Sequence, residues 1–187
     1  MEPKLIGKGK WLKLMEIPFK TKENKIDKWE LVERAFHKEV DAVEMIAFIK
    51  QTNELILISQ LRYPVNKHAI EFPAGLVDEG ESPSQAALRE LKEETGFIGN
   101  IISVSKPVAY EPAMTNSHCA FVHMEIDLEL EENKNPKQNL QDDEDIKVYK
   151  IPINKLEEEL KNFEEKGFVI DGKLAAMSFG FSLNLKK

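Results

Sequence analysis

The sequence has little cysteine and no long apolar run. Its 187 residues include one cysteine, Cys119, so no disulfide can form within the chain, which fits a reducing compartment. No apolar run approaches the roughly 18 residues that a membrane span requires. The start, MEPKLIGKGKWLK, lacks the apolar stretch of a signal peptide. We therefore expect a soluble cytoplasmic protein that binds no membrane, with nuclear presence left open.

The chain also lacks an excess of positive charge. It carries 26 Lys and Arg against 33 Asp and Glu, a formal net charge of -7. Proteins that bind a nucleic-acid backbone usually present a basic surface, so we expect no nucleic-acid partner. A phosphate ligand is still compatible with this acidity if a metal ion supplies positive charge.

The order of predicted elements indicates one domain with a small appendage. Strands are predicted at 4–16, 29–36, 42–50, 54–63, 69–72, 101–110, 118–130 and along VYKIPI, the runs 42–50 and 54–63 forming a buried hairpin. Helices are predicted after Ser82, at 153–166 and at 173–185, and the stretch 129–145 is expected to be structureless. This order predicts an α/β (α+β) fold, a mixed β-sheet flanked by helices and preceded by a small β-sheet.

The helix after Ser82 has clear end signals and an acidic face. Ser82, Pro83 and Gln85 are typical of a capped helix start, and Gly96 is typical of a helix end. Between them, Ala87, Leu88 and Leu91 are predicted to form the buried stripe.

Three acids of this helix, Glu90, Glu93 and Glu94, are spaced i, i+3 and i+4. This spacing places their carboxylates on one face, close enough to share a hard divalent cation. The alternative is a solvated acidic face, since glutamate is a good helix former.

The run that contains these acids resembles the Nudix box, G-x5-E-x7-R-E-U-x-E-E-x-G-U, in which U is apolar. The matching residues are Gly75, Glu81, Arg89, Glu90, Leu91, Glu93, Glu94, Gly96 and Phe97. The resemblance implies a Nudix hydrolase with an α/β/α sandwich, which splits a nucleoside diphosphate linked to another group. It also implies a Mg²⁺ site, with Mn²⁺ as an alternative, formed by Glu90, Glu94, the Ala74 carbonyl and Glu93. Glu93 and Arg89 are further expected among the catalytic residues, Arg89 by orienting the acids.

Four features outside the box resemble the ADP-ribose (ADP-sugar) pyrophosphatases. They are EFPAG at 71–75, Pro112, the segments GKW at 9–11 and KWELVER at 28–34, and QLRYP at 60–64. The resemblance implies hydrolysis of ADP-ribose and related ADP-sugars to AMP and a sugar phosphate. The alternatives are another Nudix substrate, such as GDP-mannose or an oxidised nucleotide, and a non-catalytic module that senses ADP-ribose.

The same resemblance implies a substrate site. Trp11 and Trp29 would hold the adenine from two subunits of a homodimer, although cross-strand packing is an alternative for both rings. Arg62 and Arg34 would bind the diphosphate, with surface ion pairs as the alternative, and support is stronger for Arg62. Met114 would line the pocket in a loop where Ala113 replaces the glycine common in the family. We expect residues 1–37 to carry dimerisation and adenine binding, and residues 38–187 to form the hydrolase domain.

A base for the attacking water is expected in the acidic loop 141–151. Glu144 aligns best with the family glutamate, and its neighbours Asp142, Asp143 and Asp145 stay alternatives. A solvated charged loop is the competing interpretation.

Overall fold

The computed structural model describes residues 2–142 and 144–184. Its first three strands, β1 (Lys4–Lys8), β2 (Leu12–Lys20) and β3 (Ile26–Arg34), form a separate antiparallel sheet. One strand was expected over 4–16, but the chain turns within it, where the Gly9 N–H donates to the Leu12 carbonyl at 2.8 Å. The amino-terminal segment is therefore a three-stranded meander.

A second, nine-stranded sheet forms the centre of the molecule. Its strands are β4 (Ala42–Ile49), β5 (Glu54–Arg62), β6 (Lys67–Glu71), β7 (Ala74–Leu76), β8 (Gly99–Val104), β9 (Val108–Ala109), β10 (His118–Ile126), β11 (Lys147–Pro152) and β12 (Val169–Ile170). The helices are α1 (Pro83–Thr95), α2 (Glu131–Lys134), α3 (Leu156–Glu165) and α4 (Gly172–Asn184). Within the described residues no helix is long and apolar enough to cross a bilayer.

Two apolar clusters cover the two faces of this sheet. In one, Leu91 of α1 packs with Met45 of β4 and Val122 of β10. In the other, Leu160 of α3 and Leu174 of α4 pack against β5 and β6. The predicted mixed sheet between layers of helices is confirmed.

Pairing within the large sheet differs from the expected hairpin. Strands β4 and β5 pair only at their turn, through Phe48 with Leu55 and Ile49 with Glu54. Beyond it, β4 runs parallel to β10 and antiparallel to β7, while β5 pairs with β6 and β11. The strands separate because each has other partners, of which β10 and β11 come from distant parts of the chain.

Two further local expectations were wrong. Leu88 is 42% exposed, and Ala86 takes its place in the buried stripe of α1. The stretch 129–145 contains α2, whose Asn133 is 2% exposed. The Asn133 amide bonds both backbone groups of Ile98 and the Asp127 carbonyl, each at 2.8 Å, and so fixes this segment to the core.

The ends of α1 are as predicted. The Ser82 hydroxyl accepts from the Gln85 N–H at 3.3 Å, and the Gln85 side chain accepts from the Ser82 N–H at 2.9 Å. Gly96 ends the helix with φ 77°, a left-handed conformation that suits glycine. These caps fix where the acidic residues of α1 lie along the helix.

Candidate active site

The acidic face of α1 lies against strand β7. A Cβ atom on Gly75 would overlap the Glu90 carboxyl group. Only glycine leaves room for this carboxylate beside the backbone of β7. The glycine of the box is thus required by a side chain fifteen positions further along the same motif.

Glu94 and Glu90 are the buried acids of this face, at 3% and 9% exposure. The Ala74 N–H donates to Glu94 Oε2 at 2.9 Å. Burial is the main cause that raises the pKa of Glu94 to about 8, and the charges of Glu90 and Glu144 raise it further. Burial also raises the pKa of Glu90, against the effect of Arg89. Two neighbouring carboxylates in such surroundings need positive charge to remain ionised.

Arg89 organises the other acids of the box. Its Nε and Nη2 bond both oxygens of Glu81 at 3.0 and 2.8 Å, and its Nη1 lies 2.7 Å from Glu90 and 3.2 Å from Glu93. Nη2 also donates to the Leu76 carbonyl at 3.0 Å. The bonds to Glu81 are the main cause of the raised pKa of Arg89. Arg89 therefore orients and neutralises carboxylates, and its hydrogen bonds use all three guanidinium nitrogens.

The donor atoms here suit a hard cation. Glu90, Glu94 and the Ala74 carbonyl are all oxygen donors, the type that Mg²⁺ prefers. Among residues 2–142 and 144–184, however, no three His, Cys, Asp or Glu side chains converge tightly enough to form a ready cation cage. Glu93 is drawn toward Arg89, while Glu90 and Glu94 face β7.

Among the described loop acids, Glu144 has a charge that acts on this site. Its charge contributes to the raised pKa of both Glu90 and Glu94. Its Oε2 accepts from the Gln141 N–H at 2.8 Å, which folds the side chain back on its own loop. Asp142 and Asp145 are exposed, and Asp143 lies outside the described residues.

A cavity of about 350 Å³ adjoins the acidic face at Ala74. Three cationic and three acidic side chains line it: Arg34, Arg62, Lys173, Glu44, Glu71 and Asp171. The cavity is therefore strongly polar but close to neutral overall.

The two predicted diphosphate arginines differ in their partners. Arg62 makes a bidentate ion pair with Glu71, at 2.8 Å from Nε and 2.9 Å from Nη2. The Nε of Arg34 is buried and has no hydrogen-bond partner among the described residues. Arg34 thus has a buried donor that no described residue uses, whereas Glu71 binds two of the three guanidinium nitrogens of Arg62.

The two tryptophans lie in different cavities of one chain. Trp11 is 63% exposed and lines a cavity of about 130 Å³ together with Arg34 and Phe36. Trp29 is 50% exposed and lines one of about 290 Å³, which it shares with Met114. One chain therefore does not bring the two indoles face to face.

The loop that carries Met114 is attached to the amino-terminal sheet. The Val32 N–H donates to the Met114 carbonyl at 2.8 Å, and the Trp29 indole N–H donates to the Ala113 carbonyl at 3.0 Å. Met114 itself is 56% exposed. Strand β3 and the loop after Tyr110 hence position each other.

Sequence reasoning missed a polar cluster at the cavity wall, formed by Glu44, Tyr110 and Lys173. Glu44 is 4% exposed, and it accepts from the Tyr110 hydroxyl at 2.6 Å. Burial is the main cause of its raised pKa. A signal was present, since Glu44 is the single charged residue in the apolar run AVEMIAFI of β4.

Comparison with known proteins places the chain in a family. The family described as "NUDIX domain" matches residues 38–170. The chain is 35% identical over 177 residues to an ADP-ribose pyrophosphatase of Saccharomyces cerevisiae, a match that covers 91% of this chain and 77% of that protein. It is 34% identical over 185 residues to an ADP-sugar pyrophosphatase of Mus musculus, covering 96% of this chain and 84% of that protein.

A solved structure supports the fold. The chain is similar to a crystal structure of an ADP compounds hydrolase with a TM-score of 0.67 and 21% identity. The match covers 86% of this chain and 81% of the other. At this identity the likeness concerns the fold.

Proposed function

Because the chain belongs to the NUDIX domain family, we propose that it hydrolyses the diphosphate of ADP-ribose and related ADP-sugars to AMP and a sugar phosphate. The observation that carries the proposal is the buried pair Glu90 and Glu94 beside Ala74, next to a polar cavity that holds an arginine with free donor capacity. The names of the yeast and mouse relatives support ADP-ribose and ADP-sugars as the substrate class.

Glu90, Glu94 and the Ala74 carbonyl would hold Mg²⁺, with Mn²⁺ as the alternative and Glu93 as a further ligand. When bound, the cation supplies positive charge to the diphosphate oxygens and to the leaving phosphate. Arg89 keeps Glu90 and Glu93 oriented through the bonds described above. The donor set of hard oxygens supports this assignment.

The other residues bind the diphosphate and move a proton. Arg34 donates to a phosphate oxygen, since a guanidinium matches phosphate geometry and its Nε is otherwise unpaired. Arg62, already bound to Glu71, is the second phosphate donor through its remaining nitrogen. Water attacks one phosphorus, Glu144 takes its proton, and the P–O bond to the other phosphate breaks.

The amino-terminal sheet would form the interface of a homodimer. Besides Trp29, its exposed large apolar side chains include Leu5, Ile6, Leu12, Leu14, Ile17, Phe19 and Ile26. In this proposal residues 1–37 pair two chains, and residues 38–187 carry the chemistry. The dimer would bring Trp11 of one subunit and Trp29 of the other to the adenine, which one chain alone does not do.

A substrate panel tests the function. The protein is incubated with ADP-ribose, GDP-mannose or 8-oxo-dGTP, with and without Mg²⁺, and the products are identified by chromatography. We expect AMP and ribose 5-phosphate from ADP-ribose, and only with the cation. Faster turnover of another nucleotide would replace the substrate assignment, and binding of ADP-ribose without products would indicate a sensing module.

A further inference from the structure

The Glu44, Tyr110 and Lys173 cluster joins three distant parts of the chain at one wall of the 350 Å³ cavity. Glu44 Oε1 accepts from the Tyr110 hydroxyl at 2.6 Å and lies 3.2 Å from Lys173 Nζ. The same Nζ lies 2.9 Å from Asp171 Oδ2 and 4.7 Å from the centre of the Tyr110 ring. Each member is held by another member, so the wall is a preformed set of donors and acceptors.

Stabilisation of the fold does not by itself explain why these polar residues are buried here. Glu44 is 4% exposed on a strand, and its side chain points to the face opposite Val43 and Met45, where its partners are Tyr110 and Lys173. A buried ion pair can often be replaced by apolar residues at no loss of stability, because desolvation offsets its attraction. The cluster does, however, present hydrogen-bonding groups to a cavity.

The position of the cluster places it beside the diphosphate site. Glu44 on β4 is the register partner of Ala74 on β7, and both line the cavity. Arg34 lines the same cavity. A substrate whose diphosphate lies at Arg34 and Ala74 can therefore extend its other end toward Glu44.

The chemistry of the cavity indicates what that end should be. Away from Arg34 and Arg62, the wall is formed by Lys173 between the carboxylates of Glu44 and Asp171. This part of the wall has no excess of positive charge, so it does not attract a further phosphate. Its closely spaced donors and acceptors suit a neutral polyhydroxyl group. At about 350 Å³ the cavity is near the lower end of the ligand-site range of roughly 300–1,000 Å³.

We propose that Glu44, Tyr110 and Lys173 bind the hydroxyl groups of the sugar beyond the diphosphate and thereby select ADP-sugars. This inference rests on the proposed function and adds residues that determine specificity. Lys173 donates its remaining N–H to a sugar oxygen, and the Tyr110 hydroxyl, whose proton is donated to Glu44, accepts from a sugar hydroxyl. Glu44 holds both groups in place and accepts from a second sugar hydroxyl.

The test compares ADP-ribose with the methyl ester of ADP, which keeps the diphosphate but has no sugar beyond it. Tyr110→Phe and Lys173→Met are measured beside Lys161→Met, a control for the loss of an exposed lysine. On ADP-ribose we expect Lys173→Met to lose at least about tenfold in kcat/KM, as for a lost hydrogen bond to a charged group, and Tyr110→Phe to lose about fivefold, as for one between neutral groups. Both variants should show their loss mainly through KM. On the methyl ester they should stay within about twofold of the unmodified protein, and the control should match it on both substrates.

Equal losses on both substrates, or no loss on ADP-ribose, would overturn the inference. If Lys173→Met does not fold, Tyr110→Phe decides, because it keeps the Glu44 and Lys173 pair. If the unmodified protein does not hydrolyse ADP-ribose, the proposed function is wrong, and calorimetric binding of ADP-ribose then tests the cluster. Weaker binding by the variants would still support it, whereas equal affinity or no binding would overturn it.

Discussion

The contact between Gly75 and Glu90 makes a sharp prediction about a single methyl group. In Gly75→Ala the new Cβ would overlap Cδ and Oε1 of Glu90. An ordinary van der Waals contact of a Cβ atom needs a separation of at least 3.4 Å. The carboxyl must therefore move by more than about 1 Å, and a misplacement of about that size can lower the rate on the order of 100-fold. That loss corresponds to about 2.7 kcal/mol of transition-state stabilisation.

The free energy of unfolding of Gly75→Ala should fall by less than the loss in transition-state stabilisation. Overpacking typically costs about 1–3 kcal/mol. The group that must move is the end of the flexible Glu90 side chain and not backbone, which keeps the cost toward the lower end of that range. Gly180→Ala is the matched control, because a Cβ there meets nothing within 4 Å. The assays are kcat/KM on ADP-ribose with Mg²⁺ and the free energy of unfolding in urea.

A double variant tests whether the loss of stability comes from the overlap between the new Cβ and the Glu90 side chain. Gly75→Ala combined with Glu90→Asp shortens the acid by one methylene group, so the double variant should regain most of the lost stability while staying inactive. Activity of Gly75→Ala within threefold of the unmodified protein would refute the close-approach explanation.

Three further predictions concern other parts of the chain. Trp11→Ala and Trp29→Ala should each raise KM for ADP-ribose at least about fivefold, from stacking worth ~1–3 kcal/mol, and an unchanged KM in steady-state assays of both would contradict adenine binding. Glu144→Gln should lower kcat about 100-fold or more with little change in KM, while Asp142→Asn stays near normal; the reverse order would assign the base to Asp142. Asn133→Ala should lower the free energy of unfolding in urea by about 2–4 kcal/mol, because it removes three hydrogen bonds to partly buried backbone groups of Ile98 and Asp127. A loss under about 0.5 kcal/mol would show that water replaces the amide.

Local signals in the sequence were reliable where the interacting groups are close along the chain. Ser82, Gln85 and Gly96 predicted both ends of α1, because caps act within about one helical turn. The spacing of Glu90 and Glu94 likewise predicted a shared face. The helical period could not tell that this face is buried, since that depends on β7 lying against it.

Contacts between residues of different strands could not be predicted from the sequence. The pairing of β4 with β10 joins residues far apart in sequence, so the expected hairpin was correct only at its turn. Arg62 resembles a phosphate ligand in sequence, and only the fold shows that Glu71 already binds two of its three guanidinium nitrogens. Whether a given arginine is free depends on which acid its neighbouring strand supplies.

The sequence by itself determined the family, the order of elements, the capped helix and the acids that the box requires, because a short motif with fixed spacing encodes them. The tertiary structure decided how those residues act. It buried Glu90 and Glu94 against strand β7 and left Arg34 with an unpaired donor. It also brought Lys173 of α4 to Glu44 of β4. Burial, pairing and pKa depend on neighbours across the fold, and no local pattern specifies those neighbours.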